Sequence, residues 1–250
     1  MSRSILDLRL AMVLAPAALM IPAALWYGPI AQDPGYHALA DQRLWLGIPH
    51  PGDVLTNLGF ILAGAYGLYV VFSRALAETA AWTAFFAGVL ATGLGSTWYH
   101  LAPDNAGLLW DRLPMTVAFM SLTAILVGER IDARATRLLL WPLVLLGLVS
   151  VLWWGWTETL GRGDLRLYAL VQFYPMLGLP LILVLYPGRH TGGHFYWLLI
   201  ASYGLAKLAE YLDAPLYDRC GVLSGHGIKH LLAALGAVFS AEMLRRRRTR

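Results

Sequence analysis

Five residues in this sequence have the types and the spacing needed for metal binding and acid–base chemistry. They are Ser96, His100, Asp111, His226 and His230. Ser96 and His100 are four residues apart, as are His226 and His230, so on a helix each pair lies on one face. Three histidines can hold one zinc ion and leave a fourth position open to water, which is the arrangement of a catalytic site. The sequence therefore predicts one metal site built from two separate stretches of chain.

Histidines at helix ends can also act as caps or bond to one another without a metal, and this structural alternative holds for most lone histidines. Here three histidines accompany an aspartate and a serine, which favours a site. The chain also contains a contrasting pair, His190 and His194, with the same spacing. Thr191-Gly192-Gly193 lies between them, Pro187 precedes them, and no acidic residue accompanies them. We interpret that pair as part of a solvated loop.

The composition indicates a membrane protein. Of 250 residues, 58% are hydrophobic and only 14% are charged, whereas a soluble domain carries about 25% charge. One cysteine excludes an internal disulfide framework and a multi-cysteine zinc site. The net charge of +4 is concentrated in the tail 245–250. A basic tail directly after an apolar segment indicates a cytoplasmic anchor rather than a nucleic-acid-binding arm.

Eight apolar stretches approach the ~20 residues that cross a bilayer. They predict an all-α, polytopic membrane helix bundle with a seven-helix core and one extra N-terminal transmembrane helix. The stretches are Leu10–Ile30 and, approximately, Val54–Phe72, Ala80–Leu101, Leu108–Val127, Leu138–Trp156, Tyr168–Tyr186, Phe195–Tyr211 and Leu223–Met243. We predict one integral membrane domain over residues 1–250, with the extra helix at about 10–30 and the core at about 41–244. The first stretch is expected to be retained, because Ala31-Gln32 is a poor cleavage site.

Arginines are more frequent in one of the two alternating sets of connections between the apolar stretches, which predicts that both termini are cytoplasmic. That set contains Arg3, Arg9, Arg74, Arg130, Arg134, Arg137, Arg189 and the terminal run. With this orientation His100, Asp111 and His226 all fall at the non-cytoplasmic end of their helices. Three polar groups far apart in sequence are therefore expected at one depth in the membrane.

Three motifs in a fixed order resemble the signature of the alkaline ceramidase family. They are Gly95-Ser96-x-x-x-His100, Asp111-Arg112-Leu113-Pro114-Met115 and Gly225-His226-x-x-x-His230. This family belongs to a superfamily of seven-helix membrane hydrolases that includes the adiponectin receptors. Thr56-Asn57-Leu58 resembles a further family signature, and Gly47-Ile48-Pro49 resembles the bacterial branch. The resemblance covers about residues 41–244.

The resemblance implies that His100, His226 and His230 are zinc ligands, that Asp111 orients or deprotonates the water, and that Ser96 bonds the developing oxyanion. It implies zinc-dependent hydrolysis of the amide bond of ceramide or a related N-acyl lipid, releasing a fatty acid and a sphingoid base or amine. The expected partners are a lipid substrate and the membrane, with no nucleic acid. The expected location is a bacterial inner membrane, with the zinc site toward the non-cytoplasmic side.

Calcium is a second candidate cofactor through the same resemblance. The animal members of the family bind calcium in an acidic N-terminal stretch. Here that stretch contains Asp33, Asp41 and Asp53 and no glutamate. Asp41 and Asp53 are the candidate calcium ligands.

Three other functions use the same residue types. A transporter or proton channel could use the His/Asp cluster as a relay, but it needs polar groups that continue to the cytoplasmic face, and few lie between 138 and 186. A retinal-binding photoreceptor could use Lys229, which we expect to point away from the histidine face. A receptor of the same superfamily could sense a ligand at the cluster.

Lys207 and Glu210 are predicted to form a structural ion pair.

Overall fold

The computed structural model describes residues 3–248, and within them the protein is an all-α bundle, as predicted. In chain order its helices are α1 (Arg3–Tyr27), α2 (Pro51–Thr56), α3 (Leu58–Phe72), α4 (Thr79–Leu101), α5 (Asn105–Arg130), α6 (Ala135–Thr159), α7 (Arg166–Leu185), α8 (His194–Tyr211), α9 (Asp213–Cys220) and α10 (Gly225–Arg246). A 3₁₀ helix (Pro34–His37) and an antiparallel hairpin of strands β1 (Leu44–Trp45) and β2 (Ile48–Pro49) lie between α1 and α2. Both chain ends, residues 1–2 and 249–250, including the end of the predicted basic anchor, lie outside the described residues.

Helix α5 begins earlier than its apolar stretch predicted. The side chain of Asp104 caps it, since its Oδ1 accepts a 2.6 Å hydrogen bond from the Gly107 amide. The first helical residue is therefore Asn105 rather than Leu108, and Asp111 lies in the second turn. Hydropathy does not detect a polar first turn, whereas capping chemistry produces one.

Six helices in the described part of the chain are long and apolar enough to cross a membrane. They lie within Leu8–Tyr27, Pro51–Phe72, Asn105–Arg130, Ala135–Thr159, Arg166–Leu185 and Gly225–Arg246. Helices α4 and α8, also predicted as spans, fall outside this set because polar residues lower their hydropathy. The protein is thus an integral membrane protein with six spans supported by length and composition.

The helices alternate in direction, and the two ends of the bundle carry different polar residues. At the end called here the histidine end, α4 finishes at Leu101, and α5 and α10 begin. Helix α1 runs antiparallel to α7, because Val13 and Ala24 of α1 accept hydrogen bonds from Tyr174 and Arg166. Most of the outer surface of α1 is apolar and exposed, as lipid contact requires.

The end opposite the histidines is closed by the C-terminal tail. Arg247 is only 7% exposed and forms ion pairs with Glu129 of α5 and with Glu78, at 3.2 Å from the latter. The Tyr196 hydroxyl of α8 donates a 2.7 Å hydrogen bond to Glu129. The sequence predicted this tail only as an anchor, whereas Arg247 also joins α10 to α5 and to the start of α4, and Tyr196 links α8 to the same cluster through Glu129.

Replacing Arg247 tests this closure. In Arg247→Met, two largely buried carboxylates lose their cation, which typically costs about 3–5 kcal/mol. We expect a clear fall in the melting temperature of the detergent-solubilised protein. The matched control is Arg246→Met, whose side chain is 62% exposed, and whose loss should change stability by under about 0.5 kcal/mol. Equal melting temperatures for the two variants would contradict the structural role of Arg247.

Candidate metal centre and adjoining cavity

A close crossing of α4 and α5 places two of the five predicted residues side by side. At Gly95 a Cβ atom would lie 2.1 Å from the carbonyl oxygen of Trp110, so no side chain fits there. This contact brings Ser96 against Asp111, and the two side chains interact. Both are buried, with 1% and 6% exposure. Gly95 is therefore needed for the close packing of α4 on α5, which the motif alone did not predict.

The first turn of α10 is fixed from three directions. A Cβ on Gly225 would lie 2.1 Å from the carbonyl oxygen of Ala209, so α10 begins in direct contact with α8. The Ser224 hydroxyl accepts a 2.8 Å hydrogen bond from the Gly227 amide and donates a 2.5 Å hydrogen bond to Asp53 Oδ1. These contacts orient the helix so that His226 and His230 are buried.

The three predicted histidines meet. Suitable ring nitrogens of His100, His226 and His230 all lie within 4.8 Å of one another. Their ring centroids are 4.6 to 5.0 Å apart, and all three side chains are buried. Within residues 3–248 this is the one group of three or more such side chains close enough to share an ion. The contrasting residues His190 and His194 are not part of it.

The hydrogen bonding of the histidines fits a metal ion. Both ring nitrogens of His100 are buried without a hydrogen-bond partner, which costs about 1–3 kcal/mol for each unsatisfied group. Nδ1 of His230 lies 3.1 Å from the Asp53 carbonyl oxygen and 3.0 Å from Thr56 Oγ1. Because a carbonyl only accepts, Nδ1 carries the proton and Nε2 keeps a free lone pair. Imidazole ligands of this kind suit zinc, copper, iron and nickel.

Lys229 contradicts its predicted orientation. Its Nζ lies 2.7 Å from Nε2 of His226 and 3.1 Å from Oε1 of Glu210, so the side chain points into the bundle rather than away from the histidines. The cause is Glu210 on α8, which also pairs with Lys207, as predicted. An ammonium group only donates, so His226 Nε2 carries a lone pair for which Lys229 and a metal ion compete.

A cavity of about 560 Å³ extends from the histidine end into the bundle. Helices α4, α5, α7, α8 and α10 enclose it. Ser96, Asp111, Lys229 and His230 line its polar end. Its remaining wall is mainly apolar and includes Val89, Leu122, Met176, Leu179, Leu199 and Ala237. The volume is typical of small-molecule sites, and the wall suits a hydrocarbon chain.

Residues 28–57 lie over the histidine end and are called here the covering segment. The two candidate calcium ligands belong to it, and each already accepts a hydrogen bond. Asp41 accepts hydrogen bonds from Arg43 Nε at 2.7 Å and Nη2 at 2.8 Å, and from the Gly52 amide. Asp53 accepts from Ser224. Arg43 also donates to the Val222 carbonyl, so this cation joins the segment to the start of α10. Calcium binding stays a prediction, and any ion at Asp41 must compete with Arg43.

The pairing of Asp41 makes stability depend on pH. Burial opposes its ionisation, but the hydrogen bonds from Arg43 and Gly52 outweigh burial and lower its pKa from 3.8 to about 2. The contribution is therefore present above pH 4 and is lost as the pH falls toward 2. We expect the melting temperature of the wild type to fall more steeply between pH 5 and pH 2.5 than that of Asp41→Asn. Parallel curves would contradict this account.

Sequence reasoning missed several residues of this site. Thr56 contacts His230, but sequence reasoning assigned it no role beyond its place in a family motif. A threonine in an apolar segment has no pattern that indicates a contact with a histidine. Arg112 is 6% exposed and lines the cavity. Its signal was present, since an arginine inside an apolar stretch is costly and needs a partner or a function.

A comparison with known families agrees with this geometry. The family model described as Ceramidase matches residues 53–174. The matched range contains Ser96, His100 and Asp111, whereas His226 and His230 lie beyond it and join the site through the fold. No curated protein matches the chain.

Metal analysis tests the centre. The purified wild type should carry about one equivalent of metal, and His226→Ala should lose it. Thr56→Val should weaken metal binding about 10- to 100-fold, because residues that orient a ligating histidine have effects of that size. The measurements are elemental analysis and titration against a competing chelator.

His194→Ala is the matched control, since it removes a histidine with the same sequence spacing outside the cluster, and it should leave the metal content unchanged. Stoichiometric metal in folded His226→Ala would show that the cluster is not the binding site.

Proposed function

We propose that the protein belongs to the bacterial branch of the alkaline ceramidase family and hydrolyses the amide bond of ceramide or a related N-acyl lipid. The observation that carries this proposal is the cluster of three buried histidines, of which His230 lines the same largely apolar cavity as Ser96 and Asp111. The Ceramidase match over residues 53–174 supports it. The products are a fatty acid and a sphingoid base or amine.

His100, His226 and His230 are the proposed ligands of zinc. When bound, zinc would supply Lewis-acid chemistry, polarising the amide carbonyl and lowering the pKa of water to about 7. None of the three proposed ligands is a carboxylate, so a bound zinc ion would keep its full positive charge. Thr56 and the Asp53 carbonyl hold the His230 ring in the orientation that leaves Nε2 free.

Asp111 is the proposed general base and acid. Its carboxylate takes a proton from the attacking water and returns it to the amide nitrogen as the C–N bond breaks, so the amine leaves neutral. Ser96 donates a hydrogen bond to the carbonyl oxygen while that oxygen gains negative charge. Their contact supports this division of roles, because both groups line the cavity that His230 also lines.

The cavity explains why such an amidase works inside a membrane. An acyl chain can lie along the apolar wall while its amide reaches the polar end. Because the substrate is insoluble in water, it can reach this internal cavity from the membrane, and no apolar groove on the water-exposed surface is required. The buried site also excludes bulk water, which strengthens the electrostatic contacts made by Asp111 and Ser96.

We further propose that α4 and α8 also cross the membrane, giving a seven-helix core after α1. Helices α3 and α5 both run from the histidine end to the opposite end, so α4 must return between them. Helices α7 and α10 require the same of α8. The arginine distribution supports cytoplasmic termini in a bacterial inner membrane, with zinc toward the non-cytoplasmic side.

One observation favours a different class. Lys229 contacts a carboxylate, Glu210, at 3.1 Å inside the cavity, as a retinal Schiff base would require. Its place in the second turn of α10, beside two histidines, argues for hydrolysis instead. Added retinal should therefore give no visible absorbance band. A transporter is disfavoured because the polar lining gathers at the histidine end and the rest of the wall is mainly apolar.

Two substitutions separate chemistry from metal binding. Asp111→Asn should keep the metal but lose at least about 10²-fold in turnover, because general acid–base groups contribute 10²–10⁴. Ser96→Ala should lose about 10²–10³-fold, which is the usual effect of removing an oxyanion donor. The assay is release of fatty acid from ceramide and other N-acyl lipids.

Thr97→Ala is the control, because the Thr97 hydroxyl bonds only to the Gly93 carbonyl of its own helix. Its rate should match the wild type. Wild-type turnover in metal-loaded Asp111→Asn would remove Asp111 from the mechanism.

A further inference from the structure

Arg112 is a buried cation with no carboxylate in direct contact. Its side chain is 6% exposed, and among residues 3–248 no carboxylate lies within ion-pair distance of its guanidinium. Nη1 is buried and has no hydrogen-bond partner. Unpaired charge at membrane depth is costly and marks functional positions. The proposed mechanism gives Arg112 no role.

Aromatic rings hold the guanidinium in place. Its carbon lies 4.5 Å from the ring centre of Trp154, 4.8 Å from that of Tyr168 and 5.6 Å from that of Tyr36. Nη2 donates a 2.7 Å hydrogen bond to Gln32 Oε1. Cation–π contacts stabilise the charge without using its N–H groups, so Nη1 remains a fixed and unused donor.

The Arg112 side chain belongs to the wall of the cavity, with Nη1 covered by the residues around it. Arg112 lines it together with Lys207 and Lys229 and with the carboxylates Asp111 and Glu210. Both lysines pair with Glu210, and Asp111 contacts Ser96. Of the three cationic residues given above for the cavity wall, Arg112 is therefore the one with no carboxylate within ion-pair distance in the described structure. It directly follows the proposed catalytic aspartate in the sequence.

We propose that Arg112 binds an anionic group on the head of the lipid substrate, so that the preferred class is an N-acyl lipid with a carboxylate or phosphate close to its amide. This deepens the proposed function and rests on it. Asp111 and Arg112 both line this cavity, so an amide held at Asp111 can carry an anionic group a few bonds away toward Arg112. In an N-acyl amino acid a single carbon separates the amide nitrogen from the carboxylate.

A purely structural role is the competing explanation. The three rings and Gln32 belong to α6, to α7 and to the covering segment, so Arg112 could simply hold these elements together. That role accounts for Nη2 and for the aromatic contacts. It leaves Nη1 unsatisfied, whereas an anionic head group would satisfy it through a charge-assisted hydrogen bond.

The test measures binding separately from turnover. Metal-loaded Asp111→Asn is titrated with N-oleoylglycine, N-oleoyl O-phosphoethanolamine and neutral N-oleoylethanolamine, which share one acyl chain. We expect at least one anionic lipid to bind about 10- to 100-fold more tightly than the neutral one, as a hydrogen bond to a charged group provides. The two anionic lipids distinguish a carboxylate from a phosphate ligand.

Adding Arg112→Gln should abolish this preference and leave binding of the neutral lipid within about twofold, while Arg112→Lys should keep part of it. Arg162→Gln, an exposed arginine in the connection at the histidine end, is the charge-matched control and should change nothing. If Arg112→Gln does not fold, the preference of the unaltered site and Arg112→Lys still decide.

Equal affinity for anionic and neutral lipids would overturn the proposal, as would an equal loss for both in Arg112→Gln. The proposed hydrolysis fails separately, if the wild type binds these lipids with the stated preference but releases no fatty acid from any of them.

Discussion

Burial of three imidazoles at one end of an apolar bundle is the constraint that shapes this protein. A polar group deep among helices costs free energy unless it has a partner, and His100 has none on either ring nitrogen. The surrounding structure packs the rings against one another in edge-to-face or tilted contacts, with no side chain between them that hydrogen-bonds to His100. A metal ion in this cluster would offset part of that cost, because each ring would give it one nitrogen as a ligand.

The remaining polar contacts at the histidine end follow from that constraint. Gly95 allows α4 to approach α5, and Gly225 allows α10 to begin against α8. The covering segment then closes over these helix ends through Arg43, which joins Asp41 to Val222. At the opposite end Arg247 performs a comparable closure on Glu129. Both ends are sealed by ion pairs, while packing and lipid contact serve the apolar middle.

Much of the site could be predicted from sequence, because its chemistry depends on residue types at helical spacing. The histidines, Ser96 and Asp111 stand out this way, and the arginine distribution predicts one membrane depth for His100, Asp111 and His226. The predicted direction of the Lys229 side chain was wrong. A helical wheel assigns a direction only to the Cβ atom, whereas lysine has a flexible four-carbon stem whose charged end is attracted to Glu210. Residue contacts between distant segments, such as Arg112 with Trp154 or Arg247 with Glu78, have no period to reveal them.

X-ray absorption at the zinc edge of the purified, detergent-solubilised protein tests the central claim most directly. The account predicts zinc at about one equivalent, with three imidazole nitrogens at about 2.0–2.1 Å and one further light ligand. The same spectrum from His100→Ala should lose one imidazole or the metal altogether. A wild-type protein without bound metal, or a spectrum with sulfur or carboxylate ligands in place of the three imidazoles, would contradict it.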